Sequence, residues 1–477
     1  MTDFKLLEDL CRARGISGQE AAVRELIMDQ VKPYADQITL DNLGNLLVFK
    51  QGAERPKTKL MLSAHMDEVG FIVTHVTENG FLKVAPVGGI DKRVVPGKRV
   101  LVGDQGIPGV IGIQPIHLSK SEEREKTLPF DQLAVDIGAS SRENALDHIA
   151  LGDMVTFASV FDFSGGMVKS KAIDDRAGCA MLIELLREEL PFDLHFSFVT
   201  QEEVGCRGAK AAAYSVAPEA CIVVESTTAA DIAGVEEEKQ VCRVGGGAVI
   251  SFMDRSTIYD RGYFRLAQQV GIRAGAKVQI KQAVAGGNDA GAIYVSRGGV
   301  RTIAVSLPCR YLHSAVGLIA QEDYESAKTT VRAFGGSHCV RRGAVIRFFG
   351  EKSRYHSFAA FARGTPFGCR IASLALAYGA DSGFAEFWLQ TTESGQACGA
   401  VSRLNGAVTV QISSAADQEE LEEFLSHIGY GTALWESSLR ESAGEVMEWA
   451  GKGVAARIAG EFLFFQRPRL CLRFTTY

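Results

Sequence analysis

The chain breaks its own pattern and then resumes it. Up to about residue 70 it alternates helix-like and strand-like runs. Leu6, Leu7, Leu10 and Cys11 mark a helical stripe, and Ser17 and Glu20 have capping-box spacing ahead of a second helix carrying Val23, Leu26 and Ile27. Strands are expected over Asn45–Phe49 and Lys59–Ala64, the second apolar enough to be central in a sheet. From about Phe71 to Phe161 helix signals give way to short strands punctuated by Gly and Pro, as in KRVLVGDQG, GVIGI and DMVTFAS, the spacing of a small β-barrel. The charged run Ser119–Lys126 reads as a solvated loop within it. Between about Ser164 and Gly336 the first texture returns. A helix is expected over Ala177–Leu190, strands over Leu194–Thr200 and Ala220–Val224, a helix around Phe264–Val270, strands over Val278–Gln282 and Thr302–Leu307, and a last helix near Gln321–Phe334. This order predicts one α/β domain, residues 1–70 and 162–336, interrupted by a β-rich insertion, residues 71–161.

Composition narrows the function classes. A chain of 477 residues outgrows a single core and implies two to three domains. Its net charge of −6, with Lys and Arg spread along the chain, argues against nucleic acid, which needs a clustered basic face. Ten cysteines scattered from Cys11 to Cys471 without a CxxC pair form no disulfide framework. The first residues, MTDFKLLEDLCRARG, do not read as a signal peptide, and no apolar stretch approaches the ~20 residues of a membrane span. A cytoplasmic protein without membrane contact is expected.

Metal-capable side chains gather where predicted strands end and helices begin. His65 follows the apolar strand, Glu202 and Glu203 follow Leu194–Thr200, and Glu225 follows Ala220–Val224. His313 lies past Leu307–Pro308, and Asp174 precedes a helix in KAIDDRAG. Ligands of open α/β sheets bind at this carboxyl edge. Each residue also has a plainer role. Asp174 or Asp175 serves as an N-cap, a lone His after a strand is more often packed than ligating, and Glu202–Glu203 reads as a solvated turn. Glu225 fits the plain role worst, because a carboxylate ending a buried strand needs a partner. Five such signals on one sheet edge weigh more than any one of them.

The segments AHMDEVGF, GVIGIQPIHL, VDIGA, KAIDDRAG, TQEEVGCRGA, GGNDAGAI and PCRYLHS occur in this order. Together, over about residues 4–335, they resemble the M42 family of metallo-aminopeptidases, which includes the glutamyl and tetrahedral aminopeptidases. The resemblance implies a dinuclear-metallopeptidase α/β domain with an inserted small β-barrel that serves dimerisation, and dimers that assemble into hollow dodecamers. It implies two divalent ions, one held by His65, Asp174 and Glu225 and the other by Asp174, Glu203 and His313, with Asp174 as the bridge. Asp67 would accept a hydrogen bond from His65, and Glu202 would be the general base. Two imidazoles and three carboxylates suit zinc or cobalt, with manganese as a further candidate. Peptides would be the substrates, cut one N-terminal residue at a time. Glu225 is one methylene longer than the Asp of many relatives, and Asp231 is the alternative donor. A related dinuclear amidohydrolase, such as a deacylase, and a non-catalytic scaffold on the same fold are the competing functions. Neither HExxH nor a GxSxG elbow is present.

Residues 340–477 lie outside that resemblance and are expected to form an appended α+β region. Helices are predicted over Cys369–Tyr378 and Gln418–Ile428, the second capped by Asp417, and strands near Phe384–Thr391, Gln396–Leu404 and Ala407–Ile412. The region weakly resembles the N-terminal half of a GNAT-like acetyltransferase. The nearest match to that fold's pyrophosphate turn, Gln396–Val401, ends in Val and lies between strand-like runs. RRGAVIRFFGEK resembles the start of a separate protein and RLCLRFTTY a premature end, as in an inert appendage or a joined reading frame.

Overall fold

The structure, a computed structural model, describes residues 3–56, 58–118 and 127–340 and, beyond them, strand residues between 347 and 475. Residues up to 339 make one compact unit and those from 340 another. Helices α1 (Phe4–Arg12) and α2 (Ala21–Val31) lead into β1 (Gln37–Leu40), β2 (Leu46–Lys50) and β3 (Leu60–His65). Each of the six residues of β3 is buried, as its apolar run predicts. The capping box does not form. The cap of α2 is Glu20, without a side-chain bond to the helix, and Ser17 Oγ donates instead to Asp67 Oδ2 at 2.6 Å.

The chain then closes a six-stranded barrel from β4 (Gly70–Val76), β5 (Leu82–Val87), β6 (Arg99–Val102), β7 (Ile107–Gly112), β8 (Ala134–Asp136) and β9 (Met154–Phe157), in the order β4-β5-β8-β7-β6-β9. Alternation puts Phe71, Val73, Val100, Val102, Val135, Val155 and Phe157 into a core of its own, and the short helix α3 (Arg142–Leu146) adds Ala145. The expected loop Ser119–Lys126 lies outside the described residues.

The α/β unit resumes with β10 (Asp162–Ser164), β11 (Met167–Ser170), α4 (Ile173–Leu186), β12 (Leu194–Val199), α5 (Arg207–Val216) and β13 (Ala220–Thr228). It ends with β14 (Ala248–Ile250), α6 (Arg261–Arg273), β15 (Val278–Ile280), α7 (Ala290–Ile293), β16 (Arg301–Cys309), β17 (Gly317–Ala320) and α8 (Gln321–Val340). Its main sheet has the order β1-β2-β12-β3-β13-β16-β14-β15, and the central four, β12, β3, β13 and β16, run parallel. Their carboxyl ends therefore open on one edge. Strand β13 runs past the predicted end at Val224, pairing as far as Thr228↔Cys309, so Glu225 sits within it opposite Ser306. Apolar residues of α1, α2, α4 and α8 fill one core with the sheet.

The second unit holds β18 (Arg347–Phe349), β19 (Ala385–Thr391), β20 (Ala397–Leu404), β21 (Ala407–Ile412), β22 (Glu448–Gly451), β23 (Val454–Ala459), β24 (Phe462–Arg467) and β25 (Leu470–Thr475). They form one sheet, β18-β19-β20-β21-β25-β24-β23-β22. Five of these strands extend the three read from the sequence. The two expected helices lie outside the described residues.

Candidate metal centre

His65 ends β3, and its ring is almost wholly buried. Its Nδ1 lies 3.1 Å from the backbone carbonyl of Asp67, nearer than the Asp67 carboxylate at 3.5 Å. The Asp67 side chain is engaged elsewhere. It accepts from Ser17 Oγ, from the Glu202 N–H at 3.0 Å and from the Glu203 N–H at 3.1 Å. One carboxylate thus fixes the turn that carries both glutamates. Burial pushes Asp67 up, but His65 and these donors outweigh it and hold the carboxyl below its ordinary range.

Asp174 and Asp175 divide two roles between them. Both depart from helical φ/ψ at the start of α4. Asp175 Oδ1 accepts from the Gly178 N–H at 3.0 Å, closing the helix end. Asp174 points into the site, with Oδ1 3.3 Å from His65 Nε2 and Oδ2 3.3 Å from His313 Nε2. Arg176, two residues on and fully buried, locks this segment in place. It donates to the carbonyls of Leu10, Ala13, Gly15 and Met66. Beside it Lys171 pairs with buried Glu68 at 2.7 Å.

The remaining predicted residues complete two groups. Glu225 Oε1 lies 3.4 Å from His65 Nε2, and Glu203 Oε2 lies 3.3 Å from His313 Nε2. Ligand atoms of His65, Asp174 and Glu225 fall within 4.8 Å of one another, as do those of Asp174, Glu203 and His313. Asp231 is engaged elsewhere, in a two-bond ion pair with Arg310 at 2.8 and 2.7 Å. Burial raises Glu203 and Glu225 well above the ordinary carboxylate range, and the Asp174 charge reinforces it. His313 is pushed down by burial, but Asp174 and Glu203 carry it to about 9.

The donor set fits a cation. His65 Nδ1 faces the Asp67 carbonyl, and His313 Nδ1 faces the Gly89 carbonyl at 2.9 Å. With each Nδ1–H donated to a carbonyl, each Nε2 faces carboxylate oxygens and, on losing the proton that those carboxylates favour, presents a lone pair to an ion seated among them. Acceptors facing acceptors repel unless positive charge lies among them. Glu203 Oε1 is also buried without a hydrogen-bond partner. Imidazole nitrogen with carboxylate oxygen suits a borderline divalent ion.

Asp174, Glu202, Glu225 and His313 line a cleft of about 800 Å³, together with Arg93 and Lys281. Glu202 stands on the turn after β12, and the Cys206 thiol lies 3.5 Å from its Oε1. Burial raises the Glu202 carboxyl above its ordinary range, opposed by His65. Sequence reasoning missed Ser17, the Gly89 carbonyl and Arg176. Ser17 was hidden behind its capping spacing, a backbone carbonyl leaves no sequence signal, and the arginine of KAIDDRAG is legible only as a charge beside two aspartates.

The model of the M42 glutamyl aminopeptidase family matches residues 44–329. This chain belongs to that family. A putative aminopeptidase of Acetivibrio thermocellus is 36% identical over 326 residues, which cover 68% of this chain and 96% of the relative. The glutamyl aminopeptidase of Lactococcus lactis is 31% identical, over 72% of this chain and 99% of its own. Among solved structures, the TET1 peptidase of Pyrococcus horikoshii, described as assembling into a tetrahedron or a large octahedral shell, superposes with a TM-score of 0.62 at 34% identity, covering 70% of this chain and 98% of its own. As an M42 member the chain is an aminopeptidase that works with divalent metal. No helix among the described residues is long and apolar enough to cross a membrane.

Proposed function

We propose that this M42 enzyme removes single N-terminal residues from peptides, with His65, Asp174 and Glu225 holding one divalent ion and Asp174, Glu203 and His313 a second. Glu202 acts as general base. The observation that carries this reading is Asp174, whose two oxygens each stand 3.3 Å from a different imidazole. Divalent ions held by these residues would supply Lewis acidity to the attacking water and to the scissile carbonyl.

The chain's own residues supply the rest. By accepting both N–H groups of the Glu202–Glu203 turn, Asp67 sets the two side chains apart, one among the ligands and one facing the cleft. Glu202 accepts the nucleophile's proton and returns it to the leaving nitrogen. The Asp67 and Gly89 carbonyls hold the two imidazoles in the tautomer that presents Nε2. Zinc or cobalt suits these donors first, and manganese also.

Aminoacyl-p-nitroanilides with free and with acylated amines, assayed after chelation and return of zinc, cobalt or manganese, test the reading. Turnover of the free-amine substrates alone, restored by metal, is expected. Preference for the acylated set would make the enzyme a deacylase. The enzyme also works as a cytoplasmic homo-oligomer whose barrel, 71–161, pairs subunits into dimers that build a dodecamer. Ile113 and Leu118, each about 60% exposed on that insertion, support an association surface. Light scattering of the purified chain checks the assembly.

A further inference from the structure

Beside the proposed base lie two donors that the reaction leaves unused, Cys206 and Asp289. Cys206 opens α5, four residues after Glu202, and Asp289 immediately precedes α7. A carboxylate oxygen of Glu202, a carboxylate oxygen of Asp289 and Cys206 Sγ lie within 4.8 Å of one another. Asp289 is fully buried, and neither of its oxygens has a hydrogen-bond partner. Glu202 and Asp67 are like charges near it, and His65 opposes them.

A buried carboxylate without a partner is costly unless something neutralises it. A proton neutralises Asp289 alone and leaves the neighbouring Glu202 oxygen and the Cys206 sulfur without a common partner. A cation seated among the three side chains would meet both oxygens and the sulfur. Thiolate with carboxylate selects a thiophilic, borderline ion such as zinc, cadmium or cobalt over magnesium or calcium. Glu202 and Asn288 line the cleft, so the group is reachable from solvent.

We propose that Glu202, Cys206 and Asp289 form an additional, inhibitory site for a thiophilic divalent cation. Binding displaces the thiol proton to solvent and forms one metal–sulfur and two metal–oxygen contacts, with no change of oxidation state. Occupancy ties up Glu202. The inhibitory part therefore rests on Glu202 as the base, whereas the binding does not.

The test uses the full chain, loaded with its working metal and dialysed against rising cadmium or cobalt. Metal content, the thiolate-to-metal charge-transfer band and peptidase rate are followed together. One further equivalent is expected, with the sulfur band and a parallel loss of rate. Cys206→Ser should keep its basal rate, lose the band and require about 10–100-fold more cation for inhibition, the loss seen even when an outer-shell partner is removed. Asp289→Asn should lose the equivalent as well. Unchanged binding and inhibition in Cys206→Ser would overturn the site. A bound equivalent with its band but no loss of rate would overturn the inhibitory role and count against Glu202 as base, leaving the cation site in place.

Discussion

Adjacent carboxylates in this site differ in what their neighbours leave them to do. From the sequence Asp174 is the ligand candidate, and either Asp174 or Asp175 could be the plain N-cap. The Gly178 N–H takes Asp175, and Asp174 is left to face two imidazoles. Asp174→Ala removes the carboxylate shared by both proposed ions, so both should weaken together. Metal analysis showing two tightly held ions in that variant would sink the ligand set. The Glu202–Glu203 pair is split in the same way, by Asp67 holding its backbone. Glu202→Gln keeps the shape and cannot take a proton, so the rate should fall about 10²–10⁴-fold. Metal content should stay level, because Glu202 is not among the proposed ligands. Near-normal turnover would show that another group is the base. The donor types were legible in the sequence because each stands beside an apolar strand or a helix start. The partner of each donor was not, since Ser17 meets Asp67 across fifty residues and Gly89 meets His313 across more than two hundred.

Strands declared themselves where burial was two-sided. The continuous apolar run of β3 needs no partner to be recognised, and the short Gly-punctuated strands foretell the barrel. Ends were harder to read. Strand β13 extends over Ser226, Thr227 and Thr228 because a ladder with Leu307–Cys309 awaits them, and that pairing is invisible locally. The helix cap at Ser17 failed for the same reason, a tertiary bond having claimed the hydroxyl. His195 shows an element's environment acting on one group. It stands in β12 opposite Phe49 of β2, with ring centroids 5.0 Å apart. Burial, with the Lys59 charge adding to it, lowers its pKa from 6.5 to about 4. The unfolded chain therefore binds the proton more readily than the fold does, and stability rises with pH between those values. The contribution of His195 is complete above pH 6.5 and is lost as pH falls toward 4. Urea melts at pH 7, 5.5 and 4.5 should show this decline, and His195→Asn should flatten it. An equal slope in the variant would place the acid sensitivity elsewhere.

At the scale of the whole chain, the resumed α/β texture revealed an insertion, because a sheet begun before residue 70 is finished after residue 162. The appended region was only half legible. Leu470, Leu472 and Phe474 alternate with polar or smaller residues and lie in β25, a strand not among those expected from the sequence. Each proposed ligand, and the base, lies before Gly336, and the family match stops at residue 329. Among the described residues the second unit is a sheet of its own whose order ends in β18 and β22. Edge strands offer unpaired backbone groups and invite association. A chain ending at Val340 should therefore keep its aminopeptidase activity and metal content and be at least as soluble as the full chain. The full chain should also show no acetyl-CoA binding by calorimetry. Residues 399–401, within the nearest match to a pyrophosphate turn, run along β20 between β19 and β21, so their backbone is committed to two ladders and not gathered into an anion cradle. Measurable acetyl-CoA binding would mean that other residues of the appended region build such a cradle. Loss of peptidase activity in a truncated chain that still folds and holds its metals would show that the appended sheet serves the site or its assembly.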